Sequence, residues 1–166
     1  KTGIYILEIP LVDSSSISTT EHENDLVENL SKILPFAKDN DVTITLETDM
    51  PSYRFRNFLE NFEPSTVFAN YDTGNSTALG YDVEEELSVL SDRIKNIHIK
   101  DRIIHGKTVP LGTGDTKFDL FFSRLKKINF KGDLIIQGAR EDNSTPKQTC
   151  EKYYKFVKQY VDKYNQ

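Results

Sequence analysis

The stretch VTITLETDMPSYRFRNFLENFEPSTVFANY, Val42 to Tyr71, decides the fold. It opens on a short apolar run, VTITLE (Val42–Glu47), passes through a predicted helix from about Ser52 to Asn61, and closes on a second run, TVFANY (Thr66–Tyr71). Short apolar runs separated by helix-period segments are what parallel strands require when helices cover them.

The same unit recurs on both sides. Upstream, GIYILEI (Gly3–Ile9) reads as a strand, followed by the polar stretch Asp13 to Thr20 and a helix from about Glu21 to Asp39 with Leu26, Leu30, Ile33 and Leu34 on one face. Downstream come a helix over Val83–Asp92, the strand KNIHI (Lys95–Ile99), a long loop and a helix over Phe118–Lys127. The strand DLIIQ (Asp133–Gln137) follows, and a helix over Lys147–Lys163 closes the chain with Tyr153, Phe156, Val157 and Tyr160 on one side. Five such units without an antiparallel hairpin signal predict an α/β fold with a parallel sheet. A nucleotide-binding open sheet needs a Gly-rich turn after an early strand, whereas the turn after Ile9 reads PLVDSSS. A (β/α)8 barrel takes about 250 residues. The 166 residues here therefore predict five of its eight units, one partial barrel domain over residues 1–166, with two open sheet edges that would leave an isolated monomer unstable or sticky. The chain begins at Lys1 and is strand-like by Gly3, so the three preceding units are expected upstream.

With 37% apolar and 28% charged residues the chain carries material for one globular core. A net charge of -5 offers no broad attraction for nucleic acid or anionic membranes. Cys150 is the single cysteine, so no internal disulfide framework exists, and a cytoplasmic location is expected. No run of about 18 apolar residues is present.

Active groups of such barrels sit at the C-terminal ends of strands. There the sequence places Glu47, Asp72, His98 and Gln137, one per consecutive unit. A strand-end carboxylate is also an ordinary helix cap, and a lone histidine an ordinary rim residue. Together, two carboxylates and an imidazole suit one divalent ion, Mn²⁺, Mg²⁺, Co²⁺ or Zn²⁺, and are too hard and thiol-poor for a structural zinc site.

The segments LETD (46–49), NYDTGN (70–75), LGYD (79–82), HIKDR (98–102), PLGTGDTKFD (110–119) and LIIQGAR (134–140) resemble the sugar-phosphate isomerase/epimerase family with the xylose-isomerase-like barrel. The resemblance makes the five strands the fourth to eighth of that barrel. It implies Glu47, Asp72, His98 and Gln137 as ligands of one divalent metal, and Glu47 with the residue at Gln137 as the catalytic acid/base pair. Gln137 departs from the pattern: a carboxamide has no titratable proton near neutral pH, so two-base epimerisation through it fails. One-base 1,2-isomerisation through Glu47 survives, with Lys100 or Asp101 as a further acid/base group. Asn75, Asp101, Arg102 and Arg140 are the substrate-binding candidates, and Gly112 and Gly114 are expected to let the long loop fold tightly over the mouth.

The implied function is a metal-dependent isomerase or epimerase of a sugar or sugar phosphate, acting through an enediolate. The partner is then a small molecule, neither nucleic acid nor membrane, and pairing into a homo-oligomer is compatible with it. A catalytically impaired sugar-binding or assembly protein is the alternative. A metal-dependent phosphodiesterase of endonuclease type ranks lower, because three histidines are too few for its metal cluster.

Overall fold

The computed structural model describes residues 3–164. Its strands are β1 (Ile6–Leu11), β2 (Thr43–Thr48), β3 (Val67–Asp72), β4 (Ile94–Ile99), β5 (Asp101–Arg102), β6 (Thr108–Val109) and β7 (Asp133–Ile136). Its helices are α1 (Thr20–Asp39), α2 (Ser52–Leu59), α3 (Thr73–Leu79), α4 (Val83–Val89), α5 (Phe118–Lys127) and α6 (Pro146–Tyr164). Five strands form one parallel sheet in the order β1-β2-β3-β4-β7. This mixed α/β arrangement is consistent with a (β/α)8-like, xylose-isomerase-like barrel.

Because side chains alternate across a strand, the sheet has two unlike faces. Ile44, Leu46, Val67, Ala69, Tyr71, Ile97 and Ile99 are buried in the hydrophobic core. Thr45, Glu47, Asn70, Asp72, Asn96 and His98 alternate with them and line the other face. That polar face is concave: Glu8 on β1 reaches His98 on β4 across two intervening strands. Tyr5 just before β1 donates its hydroxyl to Asp133 at the head of β7, 2.8 Å away.

Several local expectations are corrected. The first strand begins at Ile6, not Gly3, because pairing with β2 starts at Ile6 and Gly3 adopts a left-handed backbone, φ 75°. The strand runs on through Pro10 because β1 lies at the sheet edge, where a missing N–H costs no ladder bond. A helix absent from the sequence reading, α3, follows β3 directly, capped by Asp72 and ended by Gly80 at φ 75°. The next helix stops at Val89 instead of Asp92. An antiparallel pair, β5 with β6, does exist; two residues per strand are too few to show a period of two, and the turn places His105 at φ 54° without an Asn-Gly or Asp-Gly signal.

Candidate metal centre

Glu47 is the next-to-last residue of β2, on the concave face, and is almost fully buried. A relay of amides holds it: Asn96 Nδ2 donates to Asn70 Oδ1 at 2.9 Å, and Asn70 Nδ2 donates to Glu47 Oε2 at 2.9 Å. Asn75 Nδ2 donates to the other oxygen, Oε1, at 2.5 Å. The carboxylate is therefore oriented from both sides, with one lone-pair direction free on each oxygen.

His98 stands at the centre. Its Nε2 lies 2.9 Å from Glu8 Oε2, its Nδ1 3.1 Å from Glu47 Oε2, and Asp72 Oδ2 is 3.8 Å from Nδ1. The approach to Nδ1 is misaligned for a hydrogen bond, and this buried nitrogen has no hydrogen-bond partner. Burial of the ring works against its charged form, but the Glu47 and Glu8 carboxylates outweigh that and push its pKa up to about 9. Burial would raise the Glu8 pKa, yet His98 brings it below the ordinary carboxylate value. Asp72 is pushed up by burial, although Lys100 opposes it.

A desolvated cluster of carboxylates around one imidazole calls for a cation. Among the described residues, Glu8, Glu47 and His98 each offer one donor atom, all within 4.8 Å of one another. The orphaned Nδ1 and the hard oxygen donors fit a single divalent ion.

The structure brings Glu47, Asp72 and His98 together and adds Glu8, which the sequence reading missed. Glu8 sits mid-strand, two residues before Pro10, and not at a strand end, so position along β1 carried no signal for it. Gln137 follows β7 at the far edge of the sheet, exposed, and its side chain makes no hydrogen bond among the described residues. Arg140 is likewise exposed and unpaired there.

Asn75 and Arg102 lie at the mouth: Arg102 Nη1 donates to Asn75 Oδ1 at 3.0 Å, while its Nε and Nη2 bind the Gly106 carbonyl. Beside them opens a cavity of about 150 Å³ lined by Asp13, Asp49, Arg102 and His105 among others. A cavity of about 170 Å³ between α3, α4 and the segment before α5 touches none of Glu8, Glu47, Asp72 and His98.

Asp101, expected at the substrate, faces away into its own loop. It is fully buried, with Oδ2 accepting from the Gly112 and Gly114 amides, both 2.9 Å, and Oδ1 from the Thr116 amide, 3.1 Å. It folds the PLGTGD loop against the end of β4, with three of its acceptor positions taken by loop amides. A Cβ at residue 114 would collide with Asp101 Oδ1 and crowd the Arg102 carbonyl. Gly114→Ala is accordingly expected to cost about 1–3 kcal/mol, read as a lowered melting temperature with metal stoichiometry retained; an unchanged melt would show that the loop is not held this way.

A family model described as "Xylose isomerase-like TIM barrel" matches residues 3–159. The chain is 35% identical over 99 residues, 55% of its length and 35% of the other protein, to a putative L-ribulose-5-phosphate 3-epimerase SgbU of Haemophilus influenzae. It is 25% identical over 178 aligned residues, 92% of its length and 59% of the other's, to an inosose dehydratase of Clostridium tetani. A solved structure described as IOLI protein with a binding zinc atom superposes with a TM-score of 0.80 at 20% identity, over 98% of this chain and 64% of that one. The chain thus spans between about a third and two thirds of the proteins it matches.

Proposed function

Because this chain belongs to the xylose isomerase-like TIM barrel family, we propose that its polypeptide is a divalent-metal-dependent isomerase or epimerase of a sugar or sugar phosphate, working through an enediolate. The observation that carries this reading is the convergence of Glu8, Glu47 and His98 on one point of the concave face, with the buried Nδ1 of His98 left without a hydrogen bond. Glu8, Glu47, His98 and Asp72 would hold the ion. When bound, it would supply Lewis-acid polarisation of a carbonyl and its neighbouring hydroxyl.

Glu47 is the proposed base. Asn70 and Asn75 pin its two oxygens, so the carboxylate is held in one orientation for proton abstraction. Gln137 carries no titratable proton, but Glu8 flanks the other edge of the His98 ring and provides a second carboxylate. That pair makes two-base epimerisation available again, in line with the name of the epimerase relative. The dehydratase relative supports a second reading, since loss of hydroxide after the same proton abstraction is dehydration.

The five strands are proposed as the fourth to eighth of the barrel, with residues 1–166 forming part of that domain. Supporting this, β1 and β7 each leave one edge unpaired among the described residues, and Ile4, Leu7, Ile33 and Phe36 are exposed at the β1 and α1 side. No helix among the described residues is long and apolar enough to cross a membrane.

The test is to incubate the full-length polypeptide with Mn²⁺ or Zn²⁺ and a panel of ketoses and ketose phosphates in D₂O. Deuterium at C3 is expected for epimerisation, at C1 or C2 for isomerisation; water loss with an ultraviolet-absorbing product identifies the dehydratase. Bound metal with no label and no water loss on any sugar overturns the enzymatic reading in favour of a binding protein.

A further inference from the structure

Four consecutive residues, Asp72 to Asn75, each touch one lysine. Thr73 Oγ1 accepts from the Lys100 amide at 2.9 Å and donates to the Lys100 carbonyl at 2.7 Å, fixing both backbone groups. Gly74 makes room for the stem: a Cβ there would lie 2.7 Å from Lys100 Cγ and 2.9 Å from its Cβ. At the head, Nζ approaches Asp72 Oδ2 at 3.5 Å and Asn75 Oδ1 at 3.3 Å. The side chain is only 18% exposed.

Holding a long, rotamer-rich side chain in one place is entropically costly. Two long contacts at the head return little of that cost, so stability does not explain the cradle. Lys100 lies two residues beyond His98 on the strand's continuation, so alternation directs both to the concave face. Its ammonium borders Asp72, which is 3.8 Å from His98 Nδ1. An ammonium has three N–H groups, and the contacts named engage two of them.

Resting on the reaction proposed above, we infer that Lys100 is a catalytic residue whose free N–H meets the oxygen on which negative charge develops, and that Gly74 exists to let it reach there. As Glu47 takes the proton, the C–H pair becomes the enediolate double bond and the carbonyl pair moves onto oxygen. Lys100 transfers no proton in this step and donates a hydrogen bond to that oxygen. Returning the proton to carbon reverses both shifts, with no net loss of atoms or electrons. A preorganised cation at a developing oxyanion stabilises the transition state more than the ground state.

The test uses the full-length polypeptide and the variants Lys100→Met, Lys100→Arg and Gly74→Ala. Metal content is measured alongside solvent exchange and the calorimetric binding of two probes, a sugar hydroxamate that mimics the planar anionic enediolate and the matching uncharged polyol. Lys100→Met is expected to keep one metal per chain and polyol affinity within about threefold, and to lose about 100- to 1,000-fold in both kcat and hydroxamate affinity. Gly74→Ala should show the same pattern, the double variant should be no worse than Lys100→Met, and Lys100→Arg should recover part of the loss. If Lys100→Met keeps its preference for hydroxamate over polyol, or loses metal and both probes in parallel, Lys100 only braces Asp72 and the inference fails. A wild type that exchanges no label defeats the proposed reaction; a hydroxamate preference abolished by Lys100→Met would still uphold the oxyanion contact.

Discussion

Glu47→Gln is expected to abolish stoichiometric metal binding and solvent exchange together. The side chain is 7% exposed, lies 3.1 Å from His98 Nδ1 and is held by donors on both oxygens. The amide nitrogen of glutamine would face either the Asn70 or the Asn75 donor, so the variant loses a charge and misaligns the remaining oxygen. Loss of a residue that merely supports a ligand weakens metal affinity about 10- to 100-fold. Removing a direct anionic donor should exceed the upper figure, and removing the base should lower exchange by a further factor of about 10² to 10⁴. Elemental analysis after dialysis and deuterium incorporation report the two effects separately. The companion variants sharpen the outcome: Glu8→Gln should also lose metal, whereas Gln137→Ala should keep it. Metal retained in Glu8→Gln and lost in Gln137→Ala would return the fourth ligand to the last strand.

Glu86 is expected to make this protein lose stability as pH rises from about 5 to 7, a dependence that replacing Glu86 by glutamine removes. Glu86 lies on the buried side of α4 beside Tyr71, whose hydroxyl lies 2.9 Å from Oε2, and beside Ser76. Burial pushes its carboxyl up from 4.5 to about 7, against the hydrogen bonds from Ser76 and Tyr71. The folded protein therefore holds this proton more tightly than the unfolded chain. The stabilisation is complete below the unfolded value of 4.5 and is lost as pH rises through about 7. Up to about 3 kcal/mol is at stake, or roughly 6–12 °C in melting temperature. Glu86→Gln cannot ionise at this site, so its melting temperature should fall less than that of wild type between pH 5 and 7 and exceed it at pH 8, with only the His98 contribution left above about 6.5. A wild-type curve without a fall between pH 5 and 7, or a fall that the variant reproduces in full, would show that Glu86 is solvated.

The alternation of apolar runs with helical segments was enough to place the five main strands, because a strand buried on one face and turned to a site on the other declares itself within six residues. Glu47, Asp72 and His98 were legible for a related reason: each is the last or next-to-last residue of its strand, and parallel strands in register bring their ends to one rim. The helix α3 escaped because THR-GLY-ASN-SER composition at Thr73–Ser76 gives no apolar stripe, and its start depends on the Asp72 side chain bonding the Asn75 amide at 2.8 Å. The setting of Asp101 was not legible in the sequence, because its carboxylate accepts from amides 11 to 15 residues away.

By itself the sequence determined the parallel α/β layout and which residues stand at the strand ends, since both follow from local periodicity and chain order. Only the tertiary structure decided that Glu8 completes the acidic cluster and that Lys100 is threaded over Gly74. Twist accumulates from strand to strand until β1 faces β4, and no short window of residues encodes that sum.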